Sequence, residues 1–337
     1  MDYKIEQIQL GHGSGGLLMH ELIQNFILKK FFNPSLAQLA DSARLYLKTK
    51  QLAFTTDSFV VSPIFFKGGD IGKLSVCGTI NDLVVAGAVP RFLSLALILE
   101  EGLDFSIFKR IIDSIAKTAK EEEVLIVTGD IKVVEKGACD KIFINTCGIG
   151  ECINRNLSIK AVKPKDRIII TGTIGEHGLS IFSGRKTKGF DLGIKSDCAS
   201  LKDLVIPLMK RTCGIKFMRD PTRGGLATTL NEIAQAAQVC IEIEEEKIPI
   251  QKKVKLATEL LGLDHFYLAN EGKAVLVVEE KEAEKILYYL KKHPLGRAAE
   301  IIGEIKPFPK GEVLLKTVST GLRRLEPLIQ DPLPRIC

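Results

Sequence analysis

The sequence predicts an α/β (α+β) chain of two mixed domains, on three observations. Apolar runs of strand length alternate with helix-periodic stretches through both halves. A polar, proline-bearing stretch from Ala161 to Asp166 separates the halves. The 337 residues, 45% hydrophobic and 26% charged, suffice for about two cores of ordinary domain size. Taken in order, residues 17–32 carry a helical stripe and 53–61 a strand interrupted by Thr55-Thr56-Asp57-Ser58. Residues 70–87 read as a helix with Ile71, Leu74, Cys77, Ile80, Leu83 and Val84 on one side, and 91–99 as a strand. The cleanest helix is 104–120, with Phe105, Phe108, Ile111, Ile112 and Ile115 at i, i+3, i+4, i+7 spacing. Strands at 124–128 and 141–147 close the first unit. The second half gives strands at 167–171, 239–244, 274–278, 300–305 and 312–316, and helices at 198–211, 223–237, 253–261 and 281–292. The expected division is therefore an N-terminal domain over 1–155, a C-terminal domain over 156–325 and a tail over 326–337. Pro332 and Pro334 keep that tail out of any core element and leave it mobile.

Composition excludes several classes of function. Forty-seven basic against 41 acidic side chains leave +6, spread along the chain, and the short lysine runs carry no interleaved aromatics, so a nucleic-acid partner is not expected. No apolar run approaches the length that spans a bilayer, and no signal-peptide core follows Met1. Eight cysteines without a Cys-x-x-Cys pair fit a thiol-reduced, cytoplasmic protein.

Several motifs could carry chemistry. Gly11-His12-Gly13-Ser14-Gly15-Gly16 leads directly into a helix, where backbone N–H groups can cradle an anion; the Leu17-Leu18 that follows excludes a Walker A loop. The same loop also reads as a flexible lead-in. Residues 171–178 form a second glycine-rich stretch, read as a turn. Four short acids stand in unusual settings: Asp57 within a strand, Asp82 beside Asn81 in an apolar helix, Asp130 at a strand end, and Asp220 before a helix it could cap. Each alone could be a cap or an ion-pair partner. Together with a glycine loop, hard oxygen ligands suit Mg²⁺ bridging the phosphates of a nucleotide. Lys132 could stabilise transferring phosphate, and Glu271, between a helix and a strand, could be a base or a turn carboxylate. Cys337 closes the chain on a proline-stiffened arm, either as a swinging carrier or as an incidental last residue.

The glycine loop, Thr55–Ser58, Thr79–Asp82 with Gly87–Pro90, and Asp220–Gly225 resemble the aminoimidazole ribonucleotide synthetase-like ATP-binding superfamily. Thr128–Val134 and the ending Pro334-Arg335-Ile336-Cys337 make the chain similar, from Gln7 onward, to that superfamily's nickel–iron hydrogenase maturation family. The resemblance implies a homodimer paired through N-terminal sheets, with ATP and Mg²⁺ as cofactors. It implies that HypF loads a carbamoyl group on Cys337, that ATP-dependent dehydration makes a thiocyanate, and that the cyanide passes to iron on HypC–HypD. By motif position Asp57, Asp82, Asp130 and Asp220 would hold the metal. Gly11, Gly13, Ser14, Gly15, Gly16, Asn81, Thr222 and Arg223 would hold the nucleotide, and Cys337, Lys132 and Glu271 would be catalytic. A selenophosphate or purine synthetase would share the ATP site, but residues 11–20 lack the cysteine common beside that loop in the former, and the latter needs no terminal thiol. A non-enzymatic scaffold tethered through Cys337 is the remaining alternative.

Overall fold

The computed structural model describes all residues except 1–4, 41, 154–156, 186–191, 320, 329, 331 and 332. The expected domain boundary at 155/156, and Pro332 of the tail, lie outside the described residues. The first unit begins with α1 (Gly16–Leu22), which continues through a π-helical turn at Ile23–Ile27 into α2 (Leu28–Phe31). Then come β1 (Leu52–Phe59), the short strands β2 (Phe65–Phe66) and β3 (Gly69–Asp70), and α3 (Ile71–Val85). Next are β4 (Ala88–Glu100), α4 (Phe105–Glu121), β5 (Leu125–Val134) and β6 (Ile142–Cys152). Both long helices start where a carboxylate satisfies free backbone donors. Asp70 accepts from Gly72 N at 2.8 Å, and Asp104 from Ser106 N at 2.7 Å.

The four-stranded sheet runs β1-β6-β4-β5, parallel only between β4 and β5. One face is buried under α3 and α4, and the other is open. α4 buries the one stripe its period announces. α3 is apolar nearly all round because it is enclosed on both sides, by the sheet and by the second unit. Two readings are corrected here. β1 is not interrupted, since Leu52 to Phe59 pair without a break against β6, and Thr56 and Ser58 simply alternate onto the open face. β5 does not stop at Thr128, because β4 continues to Glu100 and offers a parallel ladder as far as Val134. Asp130 and Lys132 therefore lie inside a strand.

The second unit comprises β7 (Arg167–Ile170), α5 (Glu176–Gly184), α6 (Lys202–Arg211), β8 (Ile215–Arg219), α7 (Gly225–Ala237) and β9 (Cys240–Glu244). It continues with α8 (Lys252–Leu261), β10 (Val275–Val278), α9 (Glu280–Lys291), β11 (Glu300–Lys306), β12 (Val313–Lys316) and β13 (Leu322–Arg324). Its sheet runs β13-β12-β9-β11-β7-β10-β8. The sequence reading lacks α5, β8 and β13. Glycines mask the first, and a buried cation masks the second: Lys216 Nζ lies 2.6 Å from Asp166, with both side chains enclosed.

Asn81 ties the two units together. Its amide donates to Ala199 O (3.0 Å) and Glu271 O (3.1 Å), and its oxygen accepts from Leu201 N (2.8 Å). The tail also enters this seam. Leu333 and Ile336 are buried in the main core cluster, so the expectation that the tail stays outside the core fails. Two apolar side chains fill the seam there, and the carbonyls between them find donors.

Candidate active site at the domain seam

Three acids converge where α3, β1 and the loop after β8 meet. Asp57 projects from the covered face of β1. Gly78 lets α3 lie close, since a Cβ there would sit 3.0 Å from the Phe59 ring and 3.8 Å from Asp57 Oδ2. Asp82, one turn further along α3, accepts a 2.7 Å hydrogen bond from the Thr55 hydroxyl. Asp220 is not a helix cap, because the N-cap of α7 is Gly224 (φ +63°), with no side-chain cap. Its carboxylate is left for the site. Burial, and then the neighbouring Asp82, push Asp220 up to about 7. Burial likewise raises Asp57 and Asp82 above the usual carboxylate range. The balancing charge is Arg223, whose Nη2 stands 3.2 Å from Asp57 Oδ1 on a largely exposed side chain. Arg219 adds a second positive charge felt by Asp82 and Asp220, and among the described residues no three His, Cys, Asp or Glu side chains stand close enough together to hold a metal ion as they are.

Glu271 lies behind them. It is 3% exposed, and its Oε1 has no hydrogen-bond partner among the described residues. Burial, with Cys198 and Asp220 nearby, raises it well above the carboxylate range. It lies in the bend before β10, as expected, but enclosed and not in solvent. A buried set missed in the sequence supports it: Asp197 accepts from Glu271 N at 3.1 Å and pairs with Lys273 Nζ at 3.2 Å. Glu176 accepts from Thr173 and, at 2.7 Å, from Gln251. Thr55, in hydrogen-bond contact with Asp82, was also missed, and only its place two residues before Asp57 pointed to it.

The remaining expected residues fall elsewhere. Across the sheet, Ser58, Asn145, Ala96 and Asp130 form one register row on the open face, so Asp130 faces away from the side that Asp57 occupies. Its carboxylate pairs with Lys132 Nζ at 2.6 Å, both half-exposed or more. The glycine loop sits against the same edge strand. A Cβ on Gly13 would lie 2.1 Å from Val133 N, so only glycine fits there. Gly11 packs against Leu18, while Ser14, Gly15 and Gly16 are exposed at the start of α1, with φ of +85° at Gly15 and +76° at Gly16. Asn81 uses its amide within the chain, as described above. Thr222 is half-buried beside Arg223. Cys337 lies at the acid side: its carbonyl accepts from Val60 N at 3.0 Å, and its charge helps hold Arg223 protonated.

Both halves match one family, the AIR synthase related proteins: the N-terminal domain over residues 40–152 and the C-terminal domain over 163–316. The chain is a two-domain protein of that family. Within it, carbamoyl dehydratase HypE of Escherichia coli (strain K12) is 44% identical over 339 residues, covering 99% of this chain and 100% of that one. A solved HypE in complex with ATP is 47% identical with a TM-score of 0.94, covering 98% and 99% of the two chains. A HypE–HypF complex gives 47% identity and a TM-score of 0.80, covering 91% and 99%. The chain belongs to the carbamoyl dehydratase HypE family of hydrogenase maturation enzymes. Among the described residues no helix is long and apolar enough to cross a membrane.

Proposed function

We propose that this chain carries an S-carboxamide on Cys337 and dehydrates it with ATP to a thiocyanate, the cyanide source for the iron of a nickel–iron hydrogenase. One observation carries this reading: the tail is seated in the seam, with the carbonyl of Cys337 on Val60 N, three residues beyond Asp57. A carboxamide oxygen is a poor leaving group. Attack of that oxygen on the γ-phosphorus of ATP expels ADP and makes it a good one. Loss of one N–H proton leaves an imidoyl phosphate; loss of the second, with cleavage of the C–O bond, gives S–C≡N and inorganic phosphate.

Asp57, Asp82 and Asp220 would hold Mg²⁺ in this scheme, and the ion would supply positive charge to screen the phosphates and the leaving group. Glu271, buried and without a partner at Oε1, takes an N–H proton. Lys132 stabilises charge developing on the phosphate. Arg223 orients the phosphates against Asp57.

Asp130, Lys132 and the glycine loop lie on or against β5, three strand spacings from β1, or about 14 Å at the usual interstrand distance. A homodimer paired through the open sheet faces supports their use. That face carries Phe54 (68% exposed) and Ile98 (43% exposed), large apolar side chains that a second copy would cover. A two-fold pairing sets β5 of one copy beside β1 of the other and joins the two half-sites. HypF as carbamoyl donor fits the HypE–HypF complex seen for a relative, and HypC–HypD is the corresponding acceptor. The test is a single turnover of carbamoylated protein with Mg-ATP. One phosphate is expected per thiocyanate formed; phosphate release that is indifferent to the carbamoyl group overturns the scheme.

A further inference from the structure

The last four residues are held through side chains and backbone alike: Arg335 Nε donates to Val60 O at 2.9 Å and its Nη2 pairs with Asp140 at 3.0 Å, Ile336 is buried in the core, and the main-chain oxygens all find donors. Pro334 O accepts from Arg185, and Arg335 O accepts from Ser62 N at 3.2 Å and Arg185 Nη2 at 3.4 Å. Cys337 O accepts from Val60 N at 3.0 Å. Between them, Ile336 O lies 2.9 Å from Nε2 of His177, a wholly buried residue in the first turn of α5. A carbonyl only accepts, so that nitrogen carries the proton. The other nitrogen must then accept, and the Ser196 hydroxyl supplies the proton at 2.8 Å while itself accepting from Cys198 N at 3.0 Å. The chain Cys198 N–H, Ser196 O–H, His177, Ile336 O therefore has one self-consistent direction. The Phe66 ring stands edge-on to the imidazole at a centroid distance of 5.6 Å and fixes its plane.

His177 takes no part in holding the metal, the phosphates or the proton. It belongs to the second unit, while Val60 and Ser62 belong to the first, so the tail is held from both sides of the seam. We propose that His177 is a positioning residue for the reaction: its Nε2–H holds the Ile336 carbonyl and so sets where the thiol of Cys337, one residue on, stands relative to the acids. This role rests on the dehydratase reading, but the contact itself is testable without turnover.

The replacement His177→Phe keeps a ring against Phe66 and removes the donor, whereas His177→Gln retains an amide N–H near the position of Nε2. The first readout is alkylation of Cys337 by iodoacetamide, followed on the intact protein by mass. His177→Phe should speed it by about tenfold, and His177→Gln should lie near the parent. The second is single-turnover conversion of the carbamoylated protein at saturating Mg-ATP, which His177→Phe should slow by at least tenfold while the Kd for Mg-ATP moves less than twofold. Parental alkylation and conversion in His177→Phe, or a His177→Gln as impaired as His177→Phe, overturns the proposal. Should His177→Phe fail to fold, an ester in place of the Ile336–Cys337 amide, installed by ligation, weakens the carbonyl as an acceptor and leaves His177 in place. It should also speed alkylation, and an unchanged rate overturns the proposal. If alkylation responds while no variant, nor the parent, dehydrates, the dehydratase reading fails and the tail contact stands.

Discussion

Asp57 and Asp130 stand one register step apart in the same four-stranded sheet, yet their situations are opposite. Asp57 faces the covered side, where burial and Asp82 raise it and Arg223 is its counter-charge. Asp130 faces the open side and is neutralised by Lys132 two residues along its own strand. A carboxylate kept away from water costs desolvation energy, which Arg223 offsets only in part because Asp57 and Asp82 are still raised. An exposed pair beside solvent costs nothing to keep. The acid trio is therefore built at the expense of stability, and the β5 edge is not. The pleat of one sheet sets the two acids on opposite faces, and in the proposed homodimer a second copy would bring the β5 edge to the trio.

The largest effect should follow from removing a charge in the trio. Asp82→Asn is nearly isosteric and keeps a partner for Thr55, so thermal unfolding should be unchanged or slightly raised. ATP-dependent dehydration should fall by at least about a hundredfold, as expected when one ligand to a charge-stabilising metal is lost. Parental turnover in Asp82→Asn breaks the assignment of the trio.

Mixing sharpens the comparison further. Asp82→Asn and Lys132→Ala should each be poorly active, but together, after subunit exchange, mixed dimers contain one site with both lesions and one with neither. Recovered activity, read as phosphate release, indicates that β5 serves the partner's trio. No recovery on proven exchange contradicts the joined site. Lys132→Ala alone should move stability by less than about 1 kcal/mol, because its ion pair with Asp130 is exposed on both sides.

Smaller, and of defined sign, is the pH effect of Asp220. In the unfolded chain it ionises near 3.8, but in the folded protein not until about 7. Between those values the folded state holds the proton that the unfolded state releases, so stability falls as pH rises and levels off above about 7. Asp220→Asn should remove this contribution, giving a higher Tm than the parent at pH 8 without metal and a similar Tm at pH 4. In the parent, Mg-ATP binding should weaken as pH falls below about 7, because the cation must displace that proton. A Tm difference independent of pH would show that Asp220 is not held protonated.

Much of this was legible in the chain. The i, i+3, i+4, i+7 stripe of Phe105 to Ile115 placed α4 because one face alone is buried, and the motifs named Asp57, Asp82 and Asp220, though with Asp130 as a fourth member that the register sets on the other face. What escaped depended on neighbours far away in sequence. Lys216 hides β8 until Asp166 is known to pair with it, and Gly175, Gly178 and Gly184 hide α5, which carries His177. Which face of a strand Asp130 takes depends on the bulge between Leu93 and Ser94, which no local pattern announces. The tail misled for a related reason: prolines exclude it from helix and ladder, but Leu333 and Ile336 still fit a seam formed by two other segments.

The most direct test of the account is the mass of the C-terminal peptide after exposure to a carbamoyl donor and its carbamoyltransferase, before and after Mg-ATP. The peptide ending in Cys337 should gain one carbamoyl group and then lose one water, with both changes absent in Cys337→Ser. A Cys337→Ser protein that still gains the carbamoyl mass at another residue, or a loaded peptide that ATP leaves unchanged, would contradict it.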